Sequence, residues 1–115
     1  MGTYLYATPD IGISEPGWIG TTGSTMSTRV FLLLRKFPAG PDNERIMKRY
    51  YNEGREFIGI ERFQALDAAA PKEPEAFLLY MLDAGVDNSP DLDDARRIRK
   101  FITDAVENGE DVLIT

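Results

Sequence analysis

The sequence contains neither cysteine nor histidine. Without cysteine it has no disulfide bonds, no thiolate nucleophile and no cysteine-based metal site. Without histidine it lacks the side chain that most often acts as a general base near neutral pH, and it cannot build a Ser-His-Asp triad or ligate a haem through imidazole. We therefore expect no metal site and no cofactor, so any chemistry would have to be cofactor-free.

Basic charge and long apolar runs are also scarce. The chain has 13 Lys and Arg against 19 Asp and Glu, a net charge of −6. Phosphate backbones bind through clustered basic residues, and here these are scattered, so we expect neither a nucleic acid nor a membrane as partner. No apolar run approaches the roughly 20 residues that span a bilayer, and the N-terminus has no signal-peptide pattern. These features predict a cytoplasmic protein.

The length and composition predict one domain over 1–115. The 115 residues are 43% hydrophobic and 28% charged, which is typical of a globular domain. Within it, 1–19 reads as a strand and a loop, 20–25 has the small residues of a linker, and 26–115 carries the core. The Met-Ser-Thr at residues 26–28 resembles a second chain start.

From Met26 onward the pattern predicts the order strand, helix, strand, strand, helix, strand. This βαββαβ order indicates an α+β fold of the ferredoxin-like kind, an antiparallel sheet with two helices on one face. The segment 76–82 fits a helix or a strand by periodicity, and its aromatic content favours a strand. The predicted strands are 29–37, 57–66, 76–82 and 111–115, and the predicted helices run from Asp42 to Gly54 and from Ser89-Pro90 to Asn108.

The second face of such a sheet would be apolar and would need a cover. The sheet of a second copy is the simplest cover, which predicts a homodimer through the sheet faces. Four segments, 30–35, 49–53, 59–66 and 77–83, resemble the dimeric α/β-barrel superfamily, which includes EthD-like proteins, antibiotic-monooxygenase-type enzymes and aromatic polyketide cyclases.

That resemblance implies a protein that holds an apolar, polyketide-like small molecule and performs cofactor-free cyclisation, isomerisation or oxygenation. Asn52-Glu53 stands where the family often has an acid and a histidine, so histidine-dependent activity is not implied. The alternative is a non-catalytic dimerisation or assembly module whose barrel is filled by side chains. The sequence itself names no reaction.

Polar side chains on apolar strands are the candidate site residues, because burying them unpaired costs about 1–3 kcal/mol. Tyr80 would donate to a carbonyl, Arg62 would pair with a carboxylate or enolate, and Glu61 or Glu53 would act as a base if burial raised its pKa. The alternative for Arg62 is a salt bridge to Glu53 or Glu56, and for Tyr80 a packed ring with a surface hydroxyl.

Four further residues are candidates for ligand binding. The alternative for Tyr51 is packing between helix and sheet, and the alternative for Trp18 is packing in the dimer. The four are Tyr51, Gln64, Arg35 and Trp18.

The segment before Met26 resembles the aromatic tail that the dimeric α/β-barrel family carries after its last strand. A circular permutation, natural or engineered, would explain its place and would set Tyr4–Ala7 beside Val112–Ile114. The alternative is an N-terminal extension that adds an edge strand.

Overall fold

The computed structural model describes residues 5–7, 23–38, 44, 46–48, 56–87, 89–109 and 111–114. Residues 44 and 46–48 are helical. None of the described helices is long and apolar enough to cross a bilayer. In chain order the elements with defined bounds are β1 (Leu5–Ala7), α1 (Gly23–Leu34), β2 (Glu56–Ile58), α2 (Ile60–Ala69), α3 (Pro74–Asp83), α4 (Leu92–Asn108) and β3 (Val112–Ile114).

The described part of the chain is mostly helical, which overturns the predicted α+β fold. A ferredoxin-like βαββαβ core needs four long strands, whereas each strand here has three residues and the sheet they form has three strands. The resemblance to the dimeric α/β-barrel superfamily is therefore wrong, and so is the barrel built from two sheet faces.

Three segments that were predicted as strands are wholly or largely helical. The segment 29–37 lies mainly in α1, most of 57–66 lies in α2 after the short β2, and 76–82 lies in α3. Leucine, which favours helices, is the commonest residue of these runs, and 76–82 has no β-branched residue. In α1 the buried Val30, Leu33 and Leu34 follow the i, i+3, i+4 spacing of one helix face.

The three short strands form an antiparallel sheet in the order β1-β3-β2. In β3, Val112 pairs with Ala7 on one side and with Ile58 on the other. The expected adjacency of residues 5–7 to Val112–Ile114 is thus observed. The circular permutation is nevertheless wrong, because the ferredoxin-like core that it would rearrange is absent from the described chain. The 20–25 linker is also wrong in part, since α1 begins at Gly23.

Helix α4 is the centre of the core, and it confirms the helix predicted from Ser89-Pro90 to Asn108. It packs against α1, α2 and α3. On the apolar face of α4, Ala95, Ile98, Ile102 and Ala105 are fully buried, as is Phe101. The residues buried with them from the other elements include Leu33, Leu34, Phe63, Leu66, Phe77, Met81 and Val112.

Both ends of α4 are closed by local contacts. Asp91 accepts from the backbone N–H of Asp94 at 2.8 Å, and Asp94 accepts from that of Asp91 at 3.1 Å, which is a capping box. The cap is therefore two residues beyond the predicted Ser89. Gly109 ends the helix with a φ of 74°, a left-handed conformation that favours glycine.

The start of α2 is closed by a distant residue instead. Its N-cap position is Gly59, which has no side chain to accept a hydrogen bond. Asp111, which is buried just before β3, accepts from the backbone N–H of Ile60 at 3.0 Å. A carboxylate at a helix N-terminus is favoured by the helix dipole. Asp111 thus joins α2 to the sheet.

Asp94 also holds α1 against the start of α4, through a 3.0 Å salt bridge to the buried Arg29. Burial raises the pKa of the Asp94 carboxyl. The hydrogen bonds from Asp91 N–H and Arg29 and the charges of Arg29 and Arg97 outweigh burial, so the pKa is lowered overall. A lowered folded-state pKa gives stability that is present above the unfolded pKa of about 3.9 and is lost as the pH falls through the folded value.

We expect Asp94→Asn to lower the free energy of unfolding at neutral pH by about 1–2 kcal/mol, since it weakens the cap and the ion pair. That difference from the wild type should shrink as the pH falls from about 4 through the lowered folded-state pKa, because wild-type Asp94 is then progressively neutralised as well. Urea unfolding followed by circular dichroism at a series of pH values measures it. A gap that stays constant into acid would contradict the assignment. Asp93→Asn, which breaks an exposed pair with Arg97, is the control and should cost about 0.5 kcal/mol or less.

Candidate functional site

Arg62, a predicted catalytic residue, closes the end of α1. Its Nε donates to the backbone carbonyl of Phe37 at 2.6 Å, and its Nη2 donates to that of Leu34 at 3.1 Å. The last carbonyls of a helix lack donors within the helix, and a guanidinium there supplies charged ones. The carbonyl of Leu34 also accepts from the backbone N–H of Phe37 at 2.9 Å. The alternative partners Glu53 and Glu56 have side chains outside the described part of the chain. A contact between Arg62 and a ligand stays a prediction.

Tyr80, the second predicted catalytic residue, is half-buried on α3. Its ring stacks on that of Phe77, with centroids 6.1 Å apart and planes 17° apart. The Lys36 Nζ lies 5.4 Å from the centroid of the Tyr80 ring, within reach of a cation–π interaction. Burial raises the pKa of the Tyr80 hydroxyl above its usual 10.0. The hydroxyl is therefore protonated at neutral pH, as a hydrogen-bond donor requires.

The remaining predicted residues do not gather around these two. The prediction placed Glu61, Arg62 and Gln64 on a strand, and this is wrong because all three lie in α2. Glu61 and Gln64 are exposed there, and Arg35 is exposed just after α1. Tyr51 and Trp18 lie outside the described residues.

The turn at residues 34–37 is the place where two of the predicted catalytic residues meet. Arg62 binds its carbonyls, Tyr80 lies under its Lys36, and Arg35 belongs to it. The Nε and Nη2 atoms of Arg62 and the ring of Tyr80 therefore take part in the packing between α1, α2 and α3. In the described ranges, no group of three or more acidic residues is arranged to hold a metal ion.

The buried Arg99, which was not predicted from the sequence, joins three helices. Its Nη2 forms a 2.8 Å salt bridge with Asp67, its Nε donates to the carbonyl of Pro71 at 3.0 Å, and its guanidinium carbon lies 5.8 Å from the centroid of the Phe77 ring. A signal was available, since position 99 is four residues after Ala95 and three before Ile102, inside the apolar stripe of α4.

Helix α3 has apolar side chains on its outer side as well as its inner side, which was also not predicted from the sequence. Phe77 and Met81 are fully buried, yet on the opposite side Leu79 keeps 64% of its surface exposed and Leu82 keeps 46%. Ala76 is exposed on the same side. Contiguous exposed apolar side chains mark contact surfaces more often than single ones do. We call Ala76, Leu79 and Leu82 the outer face of α3.

Among the described residues, the outer face of α3 is the feature whose exposure is not accounted for by packing within the chain. Arg62, Tyr80 and Arg99 each have partners that account for their positions, whereas Leu79 and Leu82 point away from the core. No family model, curated protein or solved structure matches this chain.

Proposed function

We propose that the protein is an assembly module that binds a protein partner through the outer face of α3. The observation that carries the proposal is the exposure of Leu79 and Leu82 on a helix whose opposite face already fills the core. A helix with large apolar side chains on both of its sides is ordinarily covered on both sides. The predicted cytoplasmic location is part of this proposal.

Energetic considerations support the assignment of this face to binding. Covering a fully exposed leucine side chain is worth about 1.5–3 kcal/mol. Leu79 and Leu82 are 64% and 46% exposed, so a contact that covers them would gain part of that amount for each. Helix-in-groove recognition uses such leucines at i and i+3 as anchors. Leu79 and Leu82 have this spacing and lie on a helix that packs against α4 with Phe77 and Met81 buried in the core.

A photoreactive amino acid placed at position 79 tests the proposal in cells that express the full chain. We expect a crosslinked adduct of discrete mass, whether to another protein or to a second copy, and its loss when Leu82→Ser is added. Position 47 is the matched control, because Met47 is 59% exposed and apolar but lies outside α3. Equal crosslinking at both positions, or an adduct that survives Leu82→Ser, would overturn the proposal.

A further inference from the structure

We infer that the outer face of α3 takes a basic amphipathic helix of another protein. This inference rests on the proposed function and names the chemistry of the partner. The acidic side chains that accompany Leu79 on the outer face carry the argument.

Leu79 stands between two carboxylates on the same side of α3. Glu75 lies four residues before it and Asp83 four residues after it, and both are exposed. Residues four apart on a helix are neighbours, about 6 Å from each other. The outer face is thus an apolar centre with an acid at each end. A partner helix with a leucine stripe and Lys or Arg one turn to either side would match both its shape and its charge.

The same spacing argues against a second copy as the occupant. A two-fold axis through Leu79 sets Glu75 of one copy at the level of Asp83 of the other if the helices are antiparallel, and at the level of Glu75 if they are parallel. Either arrangement brings acid to acid at both ends of the contact. Like charges placed opposite each other disfavour association, and the net charge of −6 adds to this repulsion.

The size of the face also favours a short helix over a dimer. With ten residues, α3 is about 15 Å long. A stable dimer buries roughly 800 Å² on each partner, more than one face of so short a helix offers. A single helix of a partner docked along α3 needs no more surface than this and is expected to bind in the micromolar range.

Two synthetic peptides of about 18 residues, long enough to form a helix on binding, test the inference with the full chain. Both carry the same leucine stripe, and the positions flanking it are lysine in one and glutamate in the other. In titration calorimetry at about 0.15 M salt, we expect the lysine peptide alone to bind. We expect Leu79→Ser to weaken that binding roughly tenfold or more.

Charge reversal supplies the sharper comparison. Glu75→Lys together with Asp83→Lys should weaken the lysine peptide roughly tenfold and allow the glutamate peptide to bind. Glu107→Lys, an exposed reversal in the last turn of α4, should change either affinity less than about twofold. Circular dichroism confirms that each variant is folded, which is expected because every replaced side chain is exposed.

Three results would overturn the inference. Equal binding of the two peptides would remove its charge argument, and binding that survives Leu79→Ser would place the contact elsewhere. A dimer seen by light scattering that Leu79→Ser dissolves would show that the face pairs with a second copy. In that last case the inference about the partner fails, but the proposed assembly function stands. The assembly function is tested separately, by comparing crosslinking at positions 79 and 47.

Discussion

Replacing Phe101 by alanine is expected to lower the free energy of unfolding by about 3–5 kcal/mol, the range for removing a buried aromatic ring. Phe101 is fully buried at the centre of α4, and its ring meets that of Phe63 edge to face, with centroids 5.9 Å apart and planes 70° apart. Since domains of this size are stable by only about 5–15 kcal/mol, this loss is large. Chemical denaturation followed by circular dichroism measures it.

The milder Phe101→Leu keeps the measurement possible if the alanine variant does not fold. It should cost about 1–1.5 kcal/mol, because most of the volume remains. Combined with Phe63→Leu in a double-mutant cycle, it should reveal a coupling of about 0.5–1.5 kcal/mol between the rings. Leu79→Ala, a truncation on the exposed outer face of α3, is the control and should cost under about 1 kcal/mol. Equal losses for Phe101→Ala and Leu79→Ala would contradict the central place of α4.

Helix α4 could be predicted from the sequence because its signals are local and agree with one another. The apolar stripe from Ala95 to Ala105 keeps a helical period over several turns, acids occupy the first turn, and Asn108-Gly109 marks the end. Such consistency among periodicity, caps and composition makes an element readable without its neighbours. The strands at 5–7 and 112–114 were also recognisable from their residue types.

Helices α1, α2 and α3 could not be distinguished from strands in this way. Each apolar run is short, and a run such as 29–37 satisfies both a buried strand and a buried helix. Composition held the better evidence: 76–82 has no β-branched residue, and Leu, Ala and Met favour a helix. The predicted βαββαβ order and the family resemblance both depend on the interpretation of these three runs as strands, so both are wrong for the same reason.

The positions of the polar side chains depended on the fold and so were predicted less well than the elements. Arg62 was predicted as a site residue because it is a polar group in an apolar context, and its partners are the backbone carbonyls of Leu34 and Phe37, more than twenty residues away. The residues near the end of a helix do not indicate that a guanidinium distant in sequence will donate hydrogen bonds to its last carbonyls. The outer face of α3 was missed because a strand would have shared its leucines between two faces.

Replacing Arg99 by methionine is expected to lower the free energy of unfolding by about 2–4 kcal/mol. The variant keeps much of the apolar volume but removes the salt bridge to Asp67, the hydrogen bond to the carbonyl of Pro71 and the contact with Phe77. Asp67 would then retain a half-buried carboxylate with no cation beside it. Arg99→Lys should recover only part of the loss, because an ammonium cannot reproduce the fork of the guanidinium. Denaturant titrations measure all of these variants.

Arg97 offers a matched comparison on the same helix, since it too pairs with an aspartate, Asp93, at 3.0 Å. Both members of that pair are exposed, so Arg97→Met should cost about 0.5 kcal/mol or less. The difference between the losses in the free energy of unfolding of the two variants therefore measures what burial and the backbone contacts of Arg99 contribute. Asp67→Asn added to Arg99→Met should restore part of the stability, because it removes the unpaired charge. If Arg99→Met and Arg97→Met cost the same, the buried cluster does not hold α2, α3 and α4 together.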